Sequence, residues 1–135
     1  MGTKMVPMMA RQAVAEPEME PRKAAKMQMA TAMPPGLFRP CLEHRGIAGL
    51  FDALLSVEDA GGRGKLSGKV FALAAEKLGV EPADCVVFED VYEGVAGARK
   101  AGMRAVLVCD EASAHRHGDA RPLVERVIHD FTELL

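Results

Sequence analysis

The sequence is poor in cysteine and in aromatic residues and has no long apolar run. It has three cysteines, one tyrosine and no tryptophan in 135 residues. Cys41, Cys85 and Cys109 are odd in number and widely spaced, which excludes a disulfide framework or a zinc cluster and suits a reducing compartment. No apolar run approaches the about 20 residues that a membrane span requires. We therefore expect a cytoplasmic protein that does not bind membranes.

The sequence also lacks an excess of charge of either sign. Seventeen Lys and Arg residues face nineteen Asp and Glu residues, for a formal net charge of −2. Nucleic acids and anionic membranes attract proteins with a surplus of Lys and Arg, so neither is an expected partner. Hydrophobic residues make up 49% of the chain and charged residues 27%. This composition and length are typical of one globular domain.

Aspartate is absent from the N-terminal part of the chain, where Asp52 is the first. Residues 1–25 contain Pro7, Pro17 and Pro21 and show no sustained period of 2 or 3.6 residues. We therefore predict an irregular N-terminal arm over residues 1–25 and a folded domain over residues 26–135.

From residue 26 onward, short apolar runs alternate with segments of helical spacing. The predicted strands are residues 27–31, 53–57, 85–88 and 104–109. Four helices are predicted. The first covers residues 37–45 and starts late because of Pro40. The second is capped by Ser67 and closed by Gly79, and the others cover residues 92–101 and 121–135. Strands that are apolar throughout and alternate with helices are typical of a parallel sheet covered on both faces. The predicted fold class is α/β, with a three-layer Rossmann-like arrangement.

Polar side chains follow three of the predicted strands. Thr31 ends the first strand, Lys65 lies in the loop after the second, and Glu89 and Asp90 follow the third. Ligands in open α/β sheets bind beyond the carboxyl ends of the strands. Carboxylates at that edge can hold Mg²⁺, and an ammonium and a hydroxyl can bind phosphoryl oxygens. Each residue taken alone is more often a helix cap or a solvated charge, so the prediction depends on their order and spacing.

The later part of the chain resembles a known family. Residues 69–80, 86–90 and 94–103 are similar to the C-terminal half of haloacid dehalogenase-like phosphatases, in the branch with β-phosphoglucomutase and pseudouridine 5′-phosphatase. The resemblance covers residues 26–110. It implies that Thr31 and Lys65 bind the transferring phosphoryl group, that Glu89 and Asp90 bind Mg²⁺, and that the substrate is a small phosphorylated metabolite, such as a sugar phosphate or a nucleotide.

The chain departs from that family in its first part. The family carries an Asp-x-Asp motif on a central strand, where one Asp attacks phosphorus and the other transfers the proton. No residue of this chain can be assigned to that nucleophile, and the family's helical cap domain is also missing. The resemblance therefore implies a truncated phosphatase core that is inactive alone. The alternative is a non-catalytic binding or regulatory remnant of the family.

A missing central strand has a structural consequence. Its neighbours, the strands that end at Thr31 and at Phe88, would face a gap with unpaired backbone groups, each costing about 1–3 kcal/mol if buried. Residues 1–14 are a poor replacement because Pro7 cannot donate to a sheet ladder. We therefore predict marginal stability or self-association through unpaired strands.

Overall fold

The computed structural model describes residues 6–10 and 26–135, which form one six-stranded sheet with helices on both faces. The strands are β1 (Val6–Ala10), β2 (Lys26–Thr31), β3 (Ala53–Ser56), β4 (Cys85–Glu89), β5 (Arg104–Val108) and β6 (Arg126–Ile128). The helices are α1 (Pro35–His44), α2 (Lys69–Leu78), α3 (Tyr92–Lys100) and α4 (His117–Ala120). Within this part of the chain, no helix has the length and apolar character needed to cross a bilayer.

The strand order is β3-β2-β1-β4-β5-β6. Five strands are parallel to one another, and β1 is antiparallel to both of its neighbours, β2 and β4. The main core lies between the sheet and helices α2 and α3. It includes Ala30, Leu55, Phe71, Val87 and Val95. The predicted α/β class, with parallel strands and helices on both faces, is confirmed.

The second core lies under α1 and consists of Met29, Phe38 and Leu42. The prediction that this helix starts late was wrong, because it begins at Pro35, five residues before Pro40. Proline is pre-organised for the first helical position. Burial of the two α1 side chains in this core outweighs the hydrogen bond that Pro40 cannot donate.

The prediction of an irregular arm over residues 1–25 is wrong for Val6–Ala10, which forms strand β1. Val6–Ala10 is a central strand, and it fills the gap predicted between β2 and β4. Pro7 lies opposite Met29 of β2, whereas pairing with β4 begins only at Met8. The proline therefore stands near the strand start, where its missing N–H disturbs the ladder least. Residues 1–5 and 11–25 lie outside the described residues, and the domain boundary at residue 26 stays a prediction.

The C-terminal segment corrects a second prediction. Residues 121–135 were expected to form an amphipathic helix, but Arg126–Ile128 is strand β6 and pairs parallel with β5. The β-branched Val127 and Ile128 suit a strand, and the edge of β5 supplies the backbone partner. A further difference is small: Gly68 caps α2, while Ser67 Oγ accepts the Lys69 N–H at 3.3 Å.

Gln28 is a buried polar residue in the middle of the sheet. It lies opposite Met8 of β1 and Ala53 of β3, and its side chain has no exposed surface. Neither Nε2 nor Oε1 has a hydrogen-bond partner among the described residues. Burying an unpaired amide costs free energy that an apolar side chain of similar size does not.

We predict that Gln28→Met raises the free energy of unfolding by about 1–3 kcal/mol, because it removes two unpaired polar atoms and keeps the side-chain length. Urea unfolding followed by circular dichroism measures the change. Gln28→Glu has the same size but buries a charge, and it should lower the free energy of unfolding. A loss of stability in Gln28→Met would show that the amide has partners in solution.

Candidate functional site

Four polar side chains lie at or just beyond the carboxyl ends of the parallel strands. Thr31 ends β2, Glu89 ends β4, Asp90 follows it, and Lys65 begins a short 3-10 turn between β3 and α2. All four are buried, with exposed fractions of 0% for Thr31, 1% for Glu89, 7% for Lys65 and 8% for Asp90. Polar groups that are withdrawn from water to this extent require partners or ligands.

Lys65 and Glu89 form a buried ion pair. The Lys65 Nζ donates to Glu89 Oε1, and both side chains are almost fully removed from solvent. Burial raises the pKa of Glu89 above its ordinary value, and the Lys65 charge offsets only part of that effect. The second carboxylate oxygen, Oε2, is buried and has no hydrogen-bond partner among the described residues. One oxygen of Glu89 is therefore still able to bind a ligand.

Two glycines of α3 allow the helix to approach this pair. A Cβ atom built at Gly94 would overlap the Glu89 side chain, reaching 2.6 Å from Cγ and lying closer still to Cδ. A Cβ built at Gly97 would overlap the backbone carbonyl of Lys65. Neither glycine was predicted from the sequence as a site residue. Their spacing of three on a helix, which places both on one face, is the signal that could have shown it.

Thr31 lies on the other side of β1 from Glu89. Adjacent strands are about 4.8 Å apart, so β1 separates the strands of Thr31 and Glu89 by about 10 Å. Thr31 Oγ1 accepts the Met33 N–H at 3.0 Å, which leaves the hydroxyl proton available to a ligand. Among the predicted residues, the structure brings Lys65, Glu89 and Asp90 together and leaves Thr31 one strand away.

Ser56 is a further hydroxyl at this edge, which the sequence analysis missed. It lies opposite Thr31 in the β2–β3 register and is fully buried. Its Oγ accepts the Glu58 N–H at 3.1 Å, and its own N–H donates to Asp59 Oδ2 at 2.8 Å. This reciprocal arrangement is a capping box for the turn after β3. Ser56 therefore has a structural role that the present geometry explains.

The carboxylates fit a magnesium ion. Mg²⁺ prefers oxygen ligands and is often held by one or two carboxylates, with water and phosphate oxygens completing the shell. Glu89 and Asp90 supply two carboxylates that are adjacent in sequence, and Glu89 Oε2 is a buried acceptor with no partner in the described part of the chain. No group of three or more His, Cys, Asp or Glu side chains gathers within the described ranges. The protein's share of such a shell would thus be these two residues.

Strand β1 contributes no carboxylate to the site. Its residues are Val, Pro, Met, Met and Ala, and Val6 lies opposite Ala30, one residue before Thr31. The strand that separates Thr31 from Glu89 thus runs in the opposite direction to its neighbours and lacks acidic residues over Val6–Ala10.

Comparison with known proteins identifies the family. The family model described as haloacid dehalogenase-like hydrolase matches residues 6–102, which is more than half of the chain. The chain belongs to the haloacid dehalogenase-like hydrolases. The resemblance noted from the sequence is therefore confirmed.

Curated relatives of this chain include phosphatases. It is 37% identical over 82 residues to fructose-1-phosphate phosphatase YqaB of Escherichia coli (strain K12), covering 61% of this chain and 43% of the relative. It is 39% identical over 72 residues to a probable pseudouridine-5′-phosphatase of Drosophila melanogaster, covering 50% of this chain and 31% of the relative. The chain thus spans less than half the length of these two relatives.

Solved structures show the same fold. A haloacid dehalogenase family hydrolase from Deinococcus radiodurans R1, with bound phosphate and sodium, has a TM-score of 0.68 and 28% identity, covering 78% of this chain and 48% of that one. β-Phosphoglucomutase from Clostridium difficile has a TM-score of 0.61 and 21% identity, covering 78% and 43%. The second similarity concerns the fold alone.

The raised pKa of Glu89 predicts how stability depends on pH. A carboxyl group with a higher pKa when folded than when unfolded stabilises the fold most below its unfolded pKa, near 4.5 for Glu. That stabilisation is lost as the pH rises through the pKa that the group has in the folded state. We predict that the stability difference, wild type minus Glu89→Gln, falls as the pH rises from 4.5. Urea unfolding between pH 4.5 and 8 measures it. Glu76→Gln, at an exposed helix position, should show no such trend, and a flat profile for Glu89→Gln would contradict the prediction.

The approach of α3 predicts a strong coupling between Gly94 and Glu89. Gly94→Ala should lower the free energy of unfolding by about 1–3 kcal/mol, since the added methyl overlaps the Glu89 side chain. In a Glu89→Ala background the same change should stabilise α3 by up to about 1 kcal/mol, the ordinary helix preference for alanine. A double-mutant cycle by urea unfolding measures the coupling. Gly118→Ala, on a helix with open space around the new methyl, is the control. Equal effects of Gly94→Ala in both backgrounds would refute the contact.

Proposed function

We propose that this chain is the phosphoryl-binding part of a Mg²⁺-dependent haloacid dehalogenase-like phosphatase and does not turn over substrate by itself. The proposal rests on the buried cluster of Lys65, Glu89 and Asp90 at the carboxyl edge of the parallel strands. The substrate class is a small phosphorylated metabolite, a sugar phosphate or a nucleotide. Support comes from the phosphatase relatives and from the similar Deinococcus radiodurans hydrolase, whose structure holds phosphate.

Each site residue has a role that follows from its chemistry. The Lys65 ammonium binds phosphoryl oxygens as a point charge, and the Thr31 hydroxyl donates its free proton to them. Glu89 and Asp90 would hold Mg²⁺ through their carboxylate oxygens. When bound, the ion neutralises negative charge on a phosphoryl group. These residues bind and orient a phosphate monoester.

Covalent transfer requires a nucleophile, and the two carboxylates of this cluster, Glu89 and Asp90, are already assigned to Mg²⁺ in this proposal. Strand β1 has no carboxylate over Val6–Ala10, and Asp52 is the first aspartate of the sequence. Glu89 is engaged with Lys65. Burial raises the pKa of the Cys85 thiol to about 11, so this cysteine stays protonated near neutral pH and is a poor nucleophile. We therefore propose that the chain binds phosphate esters without cleaving them.

A second candidate is a non-catalytic binding or regulatory module derived from the same family. The apolar, antiparallel β1 favours it, because a strand of that composition closes the sheet without adding any reacting group. Both candidates keep as proposals a cytoplasmic location, no nucleic-acid or membrane partner, and self-association through unpaired sheet strands.

A phosphatase assay tests the absence of turnover. We predict that the purified chain with Mg²⁺ and p-nitrophenyl phosphate shows no hydrolysis above the Asp90→Asn variant. Activity that depends on Mg²⁺ and is abolished by Asp90→Asn would overturn this part of the proposal. In the same preparations, phosphate with Mg²⁺ should raise the midpoint of thermal unfolding, because a ligand that binds only the folded state stabilises it. That shift should be absent in Lys65→Met and retained in Lys77→Met, whose lysine is exposed on α2.

A further inference from the structure

We infer that Met9, Met27 and Met29 form a binding site for Cu(I), a soft monovalent cation, on the face of the sheet that α1 covers. The inference is independent of the proposed function, because Met27 and Met29 lie before Thr31 in β2, away from the carboxyl edge. The chemistry also differs. Thioether sulfur is a ligand for Cu(I), whereas Mg²⁺ is bound by oxygen atoms.

Methionine is concentrated at one end of the sequence. Eight of the nine methionines lie within residues 1–33, and the rest of the chain contains only Met103. Strands β4 and β5 fill their apolar positions with Val, Ala, Leu, Phe and Cys instead. Methionine is therefore not a general component of the sheet, and its use in β1 and β2 requires a local reason.

The register between β1 and β2 brings three methionine positions together. Met9 lies directly opposite Met27, and Pro7 lies directly opposite Met29. Directly opposed residues of an antiparallel pair share one face of the sheet, with Cβ positions about 4.5–5.5 Å apart, and diagonal neighbours are about 7–8 Å apart. Residues i and i+2 of one strand also share a face. Met9, Met27 and Met29 are therefore mutual neighbours on one face.

The two methionines of β2 differ in their exposure. Met29 is 1% exposed and packs with Phe38 and Leu42 beneath α1. Met27 is half-buried. Methionine is unbranched and has three rotatable bonds, so its sulfur can adjust to a ligand without backbone movement. The site thus offers an outer sulfur that a cation reaches from solvent and an inner sulfur that is shielded from water.

The charges beside the site favour a cation. Asp52 Oδ2 accepts the Met27 N–H at 2.6 Å, which places a carboxylate next to the outer ligand. A charge near a protein surface attracts an opposite charge more strongly than it does in bulk water. The adjacent lysine, Lys26, donates to the Leu78 carbonyl at the end of α2, on the other face of the sheet. Its positive charge is therefore directed away from the methionines.

Packing alone does not account for this arrangement. Methionine also fills irregular gaps in apolar cores, and that role suits the buried Met29. It does not suit Met27, which is half-buried at a strand position where β-branched and aromatic residues are favoured. An accessible thioether beside a carboxylate, with a buried thioether two residues further along the strand, fits ligation of a soft cation.

Methyl NMR of the full chain tests the site. The protein is labelled with ¹³C at the methionine methyl groups and carries Cys41→Ser and Cys109→Ser, which remove thiols that compete for soft metals. Burial raises the pKa of the Cys85 thiol to about 11, so it stays protonated. Ag(I) is the probe, because it has the charge and softness of Cu(I) and is not oxidised by air. We expect the methyl signals of Met9, Met27 and Met29 to shift together, and that of the buried Met103 to stay unchanged.

Substitution by leucine separates ligation from packing. Leucine keeps the size and apolar character of methionine but has no sulfur, so Met27→Leu should leave the fold intact. Its affinity for Cu(I), measured by competition with the chelator bicinchoninate in the absence of oxygen, should fall by at least about tenfold, since even residues that only support a metal ligand contribute about 10- to 100-fold. Met103→Leu is the matched control and should keep the affinity of the parent. Met27→Leu decides the matter even if Met29→Leu fails to fold.

The pH dependence of Cu(I) binding identifies the donor atoms. A thioether has no proton for the metal to displace, whereas a thiol or an imidazolium must lose one. We expect the affinity to change by less than about twofold between pH 5 and 7, where a single thiol ligand would give about tenfold per pH unit. A steep pH dependence, unchanged Met27 and Met29 methyl signals, or equal affinities of Met27→Leu and Met103→Leu would each overturn the inference. None of these results bears on phosphate binding at Lys65.

Discussion

The buried ion pair between Lys65 and Glu89 constrains much of this structure. Lys65 comes from the turn after β3 and Glu89 from the end of β4, so their contact joins the two halves of the sheet across β1. A buried pair is costly to break, because either partner alone would be an uncompensated charge. Helix α3 approaches the pair closely, and a Cβ atom at Gly94 or Gly97 would overlap the Glu89 side chain or the Lys65 carbonyl.

The second constraint is the position between β2 and β4. Two central strands of a parallel sheet cannot leave their facing N–H and C=O groups unpaired. Val6–Ala10 satisfies them in the antiparallel direction, although Pro7 has one donor fewer to offer. Backbone pairing thus fills this position with a segment, Val6–Ala10, that has no acidic residue in its sequence. The same pairing explains how a sheet of haloacid dehalogenase type closes between β2 and β4.

The proposed function separates binding from catalysis for a physical reason. Holding a phosphate ester needs cations and donors at the sheet edge, which Lys65, Thr31 and a metal on Glu89 and Asp90 would supply. Breaking the ester bond needs one more group in line with phosphorus. The described residues place the first set along the carboxyl edge of the parallel strands, with Thr31 one strand away from Glu89. The family's phosphatase relatives are more than twice as long as the part that this chain matches.

The sequence by itself determined the alternation of parallel strands and helices, and it placed Thr31, Lys65, Glu89 and Asp90 at strand ends, because apolar runs and turn residues are local signals. Tertiary structure alone decided the rest. β1 and β6 form through pairing with strands distant in sequence, which residue periodicity does not report, and so Pro7 and the helical spacing of residues 121–135 were misleading. The Lys65–Glu89 contact and the burial of the Gln28 amide, which has no partner among the described residues, likewise depend on which elements pack together. Whether these polar groups are buried, and so form a binding site or destabilise the fold, depends on the assembled sheet.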